Sequence, residues 1–253
     1  MTDAALGALI AFAIAVVTTP VGVSGAVFLV PVQVSLLGTP SPAITPTNLL
    51  FNVLAIPGAL LRFHGEGRLG GPLLRSMLIG SLPGMVAGAV IRVELLSGGQ
   101  AFLVVVAAVL APLGAWLAFG RPTPGGGRLR PATIAALSLA VGVVGGVYGI
   151  GGGSILGPLL VGCGYSVLEV SPAALTATFL ASLVGVASFA LLSLGGEDIA
   201  PDWTVGIGMG IGGLAGGYLG ARLQPLLPAT LLRRGLGLLA LLLAARYALQ
   251  ALG

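Results

Sequence analysis

The chain is 253 residues long, with 57% apolar and only 7% charged residues. A soluble domain carries about 25% charged residues, so this chain cannot cover a water-facing surface, and an ordinary cytosolic enzyme is excluded. The net charge of +4 rests on eleven basic residues, all arginine and scattered among apolar runs, so no basic stripe for nucleic acid forms.

In chain order, the first apolar stretch is Ala4–Gly38. It follows an N-terminus with Asp3 and no basic residue, unlike the positive start of a signal peptide, so it reads as retained structure. It is longer than the roughly 20 residues of one span, and Thr18-Thr19-Pro20-Val21-Gly22-Val23-Ser24-Gly25 interrupts it. Proline removes a backbone donor and glycine weakens a helix, so a broken helix or helical hairpin is expected. Spans follow at Leu49–Leu61, beginning near Pro46, then Pro72–Ile91 and Ala101–Phe119. The hydrophilic stretch Arg121–Arg130 reads as a cytoplasmic linker, taken as 121–131. Ala132–Gly164 is a second over-long stretch, broken at Gly145–Ser154, and spans follow at Ala173–Leu194, Trp203–Ala221 and Leu231–Leu249.

The two halves repeat. Gly22, Gly25 and Pro31 recur 127 residues later as Gly149, Gly152 and Pro158. Ala43-x-Thr45-x-Thr47 recurs 131 residues later as Ala174-x-Thr176-x-Thr178, and Gly80, Gly84 and Gly88 answer to Gly208, Gly212, Gly216 and Gly220. The expected organisation is a first transmembrane repeat over 1–120 and a second over 132–253. If each long stretch doubles back, nine arginines share one side and only Arg92 and Arg246 oppose them; single crossings give seven against four. The positive-inside rule prefers hairpins with both termini periplasmic or extracellular, which inverts one half relative to the other. Eight crossings with parallel halves is the alternative. The expected fold is an all-α polytopic membrane protein of two inverted repeats, each a broken helix or hairpin and three transmembrane helices, about 8 to 10 segments in all.

A break inside a membrane exposes backbone groups that lipid cannot satisfy, so it is buried in protein or lines a cavity. Helix N-termini at such a break suit anions. Two equivalent breaks point to a midplane substrate site, with candidate residues Gly22, Ser24, Gly25, Gly149, Gly151, Gly152, Gly153 and Ser154. Pro46 and Pro172 are expected in the first turn of the helix after each hairpin. From those helices Asn48, Asn52, Thr176 and Thr178 join the candidates, with Thr45, Thr47 and Ser182 as further neutral polar groups. Caps or interhelical bonds are the alternative role for the hydroxyls. The glycine rows read as helix-packing ridges. Arg75 and Arg92 read as snorkelling to the interface, with reaching the cavity as the alternative.

Other chemistries are poorly supported. Gly149-Ile150-Gly151-Gly152-Gly153 lacks the lysine and preceding strand of a phosphate loop. His64 is the sole histidine and lies in a loop; Cys163 is the sole cysteine, without partners for a disulfide, metal or dyad. No Asp or Glu lies mid-span: Glu94 and Glu169 fall at helix ends, and Glu197, Asp198 and Asp202 in an outer loop. A site of backbone donors and hydroxyls without fixed negative charge suits an anion.

The run Gly145–Leu159, with Ala174-Leu175-Thr176-Ala177-Thr178, Gly212–Arg222 and Ala43-Ile44-Thr45-Pro46-Thr47-Asn48, resembles the TauE/SafE sulfite-exporter family, also called TSUP transporters. The resemblance covers nearly the whole chain in order. The first half departs from the family's glycine run, having Val21-Gly22-Val23-Ser24-Gly25-Ala26-Val27. The resemblance implies a sulfur oxyanion or organosulfonate, moved across the inner (plasma) membrane by alternating access. The rival readings are an anion channel and a non-transporting membrane scaffold or assembly protein. No cofactor, metal or catalytic residue is expected. The expected partners are a small anionic substrate and the lipid bilayer, without nucleic acid; a homo-oligomer is compatible with this reading.

Overall fold

A computed structural model describes residues 3–96, 99–120, 128–194, 199–226 and 228–252. Residues 121–127 of the expected linker, with Glu197 and Asp198, lie outside the described residues. Among the described residues the chain is helical, without strands. The first half holds α1 (Asp3–Thr18), a 3-10 turn (Thr19–Val21), α2 (Ala26–Ser35), α3 (Ser41–Gly65), α4 (Pro72–Glu94) and α5 (Gly99–Phe119). The second holds α6 (Pro131–Tyr148), α7 (Gly153–Gly162), α8 (Val167–Ser193), α9 (Trp203–Leu223) and α10 (Ala229–Leu252), with a 3-10 turn at Gln224–Leu226. By length and composition, five helices are apolar enough to cross a membrane: the first through Val21, then α3, α4, α6 and α8. Leu9, Leu61, Ile79, Leu139, Leu191 and Ile211 are exposed on their outer faces, where a bilayer would be the solvent.

Helix starts follow local chemistry. Ser166 caps α8, its Oγ accepting from the Glu169 amide at 3.1 Å, with the carboxylate of Glu169 in the first turn where the dipole favours it. Asp202 caps α9 through the Val205 amide at 3.0 Å. Prolines open α4 and α6, where the missing N–H costs nothing. Two expectations need correction. The helices after the breaks start earlier than predicted, at Ser41 and Val167, so Pro46 and Pro172 lie in their second turns. The carbonyl that Pro172 leaves without a helical donor, that of Leu168, accepts instead from Arg68 Nη2 at 2.6 Å.

Helix directions follow from the contacts. Ala4, Ala8, Phe12 and Val16 of α1 meet Gly208, Gly212, Gly216 and Gly220 of α9 in the same order, so this pair is parallel. Gly80, Gly84 and Gly88 of α4 meet Ala135, Leu139 and Val143 of α6 in the same way. Each half thus lends its opening helix to the other half's glycine ridge. Helix α3 runs parallel to α9, with Leu50, Leu54 and Gly58 against Gly206, Gly210 and Leu214. Corresponding helices of the two halves run antiparallel: Leu49 of α3 meets Gly185 of α8, while Ala59 and Phe63 cluster with Leu175. Likewise Gly114 and Leu117 of α5 meet Leu241 and Gly237 of α10.

Each broken pair doubles back. Leu37, just past α2, touches Gly7 near the start of α1. Ile134 of α6 clusters with Leu160 and Tyr165 at the end of α7, and Arg128 reaches Glu169 at 3.3 Å. Helices α2 and α7 have 10 residues each, or about 15 Å, roughly half of an apolar bilayer core.

The ridges tolerate no side chain. A Cβ on Gly212 would overlap the Ala8 carbonyl oxygen, and one on Gly80 that of Ala135. Overpacking against backbone costs about 1–3 kcal/mol. Gly212→Ala should therefore lower the thermal midpoint in detergent and the yield of monodisperse protein. Gly65→Ala, whose Cβ meets nothing, should leave both unchanged or slightly raised. Equal behaviour of the two variants would contradict the packing role of the ridge.

Candidate functional site

The two breaks share one backbone geometry. Gly22 ends the first arm at φ 76°, ψ 23°, and Gly149 ends the second at φ 76°, ψ 22°. This is the left-handed region that glycine enters without penalty. Space is closed as well: a Cβ at Gly22 would lie 2.7 Å from Ser171 Cα, and one at Gly149 2.6 Å from the Thr45 carbonyl oxygen. Gly25 and Gly152 then start α2 and α7 with nearly equal dihedrals. One difference stands between them: Gly151 has φ 64°, whereas Ser24 at the matching position is not left-handed.

The breaks meet and brace one another. The Ser24 amide donates to Ser154 Oγ at 3.0 Å. Asn52 Nδ2 donates to the Gly149 carbonyl at 3.3 Å, and Ser24 Oγ donates to Asn52 Oδ1. Asn48 Nδ2 donates to the Ala26 carbonyl at 3.2 Å while its Oδ1 accepts from Gln33 Nε2 at 2.6 Å. Thr45 Oγ1 donates to the Val147 carbonyl at 3.0 Å, and the Tyr148 hydroxyl to the Val27 carbonyl at 2.9 Å. Asn48, Asn52, Ser24 and Ser154 are all buried. The backbone of each break is therefore hydrogen-bonded in part by side chains of the other half, as burial of backbone groups requires.

Gly151 and Gly153 lie against Thr178 of α8: a Cβ on Gly153 would lie 2.6 Å from Thr178 Oγ1. The structure thus gathers Gly22, Ser24, Gly25, Asn48, Asn52, Gly149, Gly151, Gly152, Gly153, Ser154 and Thr178. It does not gather Thr176, which is half-buried and donates to the Pro172 carbonyl of its own helix at 2.7 Å. A water-sized cavity of about 10 Å³ lies beside the first break, between Thr19, Ser24, Gly25, Phe51 and Ala55.

Sequence reasoning missed four participants. Gln33 stands alone between valines in an apolar run, and Tyr148 inside a glycine run; a polar group in such a setting needs a buried partner, which was the available signal. Gln224 Nε2 donates to the Pro20 carbonyl at 2.5 Å, and its Oε1 accepts from Arg68 Nη2 at 3.1 Å; only the fold brings these together. Arg92 corrects the snorkelling expectation. It is buried, donates through Nε to Thr45 Oγ1 at 3.2 Å, and also donates to the Leu96 carbonyl. Arg75 is exposed as expected. Among the described residues no group of His, Cys, Asp and Glu could hold a metal ion.

The gathered groups comprise two helix N-termini, amide side chains and hydroxyls, with no carboxylate bonded to them. Such a set stabilises negative charge at short range. Residues 7–247 match the family described as Sulfite exporter TauE/SafE. No curated protein and no solved structure matches the chain significantly.

Asn52 links both breaks. Asn52→Ala would leave the Gly149 carbonyl without the Asn52 donor and the Ser24 hydroxyl proton without its acceptor, although Ser24 Oγ still accepts from the Ala26 amide at 3.2 Å; a buried group left unpaired costs about 1–3 kcal/mol. Thermal unfolding in detergent should show a clear loss of stability for Asn52→Ala and almost none for Thr176→Ala. Equal midpoints would remove Asn52 from the bracing network.

Proposed function

Since the chain belongs to the sulfite exporter TauE/SafE family, a family of membrane transporters for sulfur-related anions, we propose that it is a secondary carrier of a small sulfur oxyanion or organosulfonate. It works by alternating access in the inner (plasma) membrane. Residues 1–120 and 132–253 are its two repeats, inverted relative to one another, with 121–131 as a cytoplasmic linker and both termini outside. The antiparallel directions of α3 with α8 and of α5 with α10 support inversion, as does the exchange of α1 and α6 between halves. The doubling back of α2 and α7 supports helical hairpins that enter and leave from one side.

One observation carries the reading most: two glycine breaks with matching left-handed caps are joined by the Ser24–Ser154 hydrogen bond. The substrate binds where they meet, within the set Gly22, Ser24, Gly25, Asn48, Asn52, Gly149, Gly151, Gly152, Gly153, Ser154 and Thr178. Thr176 supports α8 without touching it. Uniform binding of one anion by an occluded site, exposed alternately to each side, distinguishes a carrier from a pore.

Two measurements check this. In proteoliposomes, radiolabelled sulfite should show counterflow, with internal unlabelled sulfite accelerating uptake; Gly152→Leu should abolish it while the protein remains folded. Normal flux by Gly152→Leu would sink the midplane site, and flux without counterflow would favour a channel. Cys163, the only cysteine, lies just past α7 and is partly exposed. It should react with a membrane-impermeant maleimide from the same side as a cysteine placed in the linker by Gly126→Cys in a Cys163→Ser background. Labelling from opposite sides would overturn the hairpin topology.

A further inference from the structure

Resting on the carrier reading and revising its candidate set, we propose that the substrate is held on the second-break side of the site, with the hydroxyls of Ser81 and Ser182 joining that of Thr178 as its side-chain donors. Serine and threonine in helices commonly bond back to the carbonyl four residues earlier, and Ser76, Ser138, Thr176 and Ser188 all do so. Ser81, Thr178 and Ser182 do not. All three are at most 1% exposed, and their hydroxyls are without a hydrogen-bond partner among the described residues. An unpaired buried hydroxyl lowers stability, so three around one locus require an occupant to explain them.

Ser81 and Thr178 close on the start of α7 from two helices. A Cβ on Gly152 would lie 3.4 Å from Ser81 Cβ of α4, and one on Gly153 would lie 2.6 Å from Thr178 Oγ1 of α8. Ser182 is one turn beyond Thr178 on the same face of α8. Helix α7 is 10 residues long, and its Ser154, Ile155 and Leu156 amides already donate to the Gly151 and Gly152 carbonyls, so the three hydroxyls are the donors offered to an occupant. A hydroxyl can donate one hydrogen bond, and on the carrier reading the three donate to the oxygens of an oxyanion head, as in sulfite or a sulfonate.

The first break has a single such hydroxyl, Thr18 Oγ1, and lacks the cluster. The repeat offsets of 128 and 131 residues place Met209, Thr47 and Phe51 where the second break has Ser81, Thr178 and Ser182. Phe51 packs at Gly25 and Met209 at Gly7, while Thr47 Oγ1 already accepts from the Asp202 amide at 2.8 Å. The cavity there is water-sized and lined mainly by apolar residues. The duplicated breaks have therefore divided their labour: the first braces, the second binds.

The test titrates the full-length protein in detergent with sodium sulfite and with sodium methanesulfonate, against sodium chloride at matched ionic strength. Ser81→Ala and Ser182→Ala should each weaken binding about ten-fold, the scale of one hydrogen bond to a charged group. Their unliganded thermal midpoints should equal or exceed that of the wild type, because each removes an unpaired hydroxyl. Met209→Leu, at the mirrored position, should bind within about two-fold of wild type. Wild-type protein that binds while both serine variants bind equally well overturns this inference alone. So does a fall in the unliganded midpoint of either serine variant, which would mean that its hydroxyl has a partner. Wild-type protein that binds neither anion overturns this inference and the carrier reading together.

Discussion

A helix interrupted inside hydrocarbon leaves amides and carbonyls that no lipid can satisfy, and most of this structure answers that constraint. The answer is reciprocal. The first break's Ser24 amide is satisfied by Ser154 of the second, and the second break's Gly149 carbonyl by Asn52 of the first half. The Val147 carbonyl takes the Thr45 hydroxyl, and the Val27 carbonyl takes that of Tyr148. Neither half is self-sufficient at its break. Each break is buried with groups that the other half supplies.

The glycine ridges serve the same end by different means. Donors such as Asn52 reach the opposing break only if helices from the two halves approach closely. Gly80, Gly84 and Gly88 allow α6 to lie against α4, and Gly208, Gly212, Gly216 and Gly220 allow α1 to lie against α9. In lipid, where hydrophobic burial gives no drive between helices, such close contact supplies dispersion and packing energy. Within the first break, the Pro20 carbonyl accepts from Ser171 and Gln224, and Gln224 in turn accepts from Arg68. This chain of polar contacts ties the first break to the loop between α3 and α4.

Much of this was legible in the sequence because it depends on spacing. The over-long apolar stretches, the two breaks, the repeat offsets and the four-residue glycine rows all register in one dimension. Asn48 and Asn52 stood out since an amide one turn from another is costly in lipid. What failed depended on geometry between helices. Pro46 and Pro172 read as first-turn residues because local propensity places them there; the helices extend past them, and at Pro172 Arg68 supplies the donor that proline withdraws. Thr176 looked equivalent to Thr178, yet two residues on a helix turn the side chain by about 200°, and only Thr178 faces α7. Arg92 looked like an interfacial cation because nothing in its neighbourhood announced Thr45 as a partner 47 residues away. Ser81 is an ordinary serine in sequence, and its missing back-bond is visible only in three dimensions.

The pairing of α1 with α9 has a temporal side. The two helices lie about two hundred residues apart in the chain, and ribosomes add roughly 5–20 residues per second. The opening helix must therefore wait on the order of ten to forty seconds in the membrane before its partner exists. Through that interval the close-packed face that Ala4, Ala8, Phe12 and Val16 later give to α9 lacks its partner, even as α6, α7 and α8 are made. Biogenesis of this chain is thus a race between completion of the second half and capture of an unfinished first half by other helices. The late-made glycine ridge of α9 is the event that ends it.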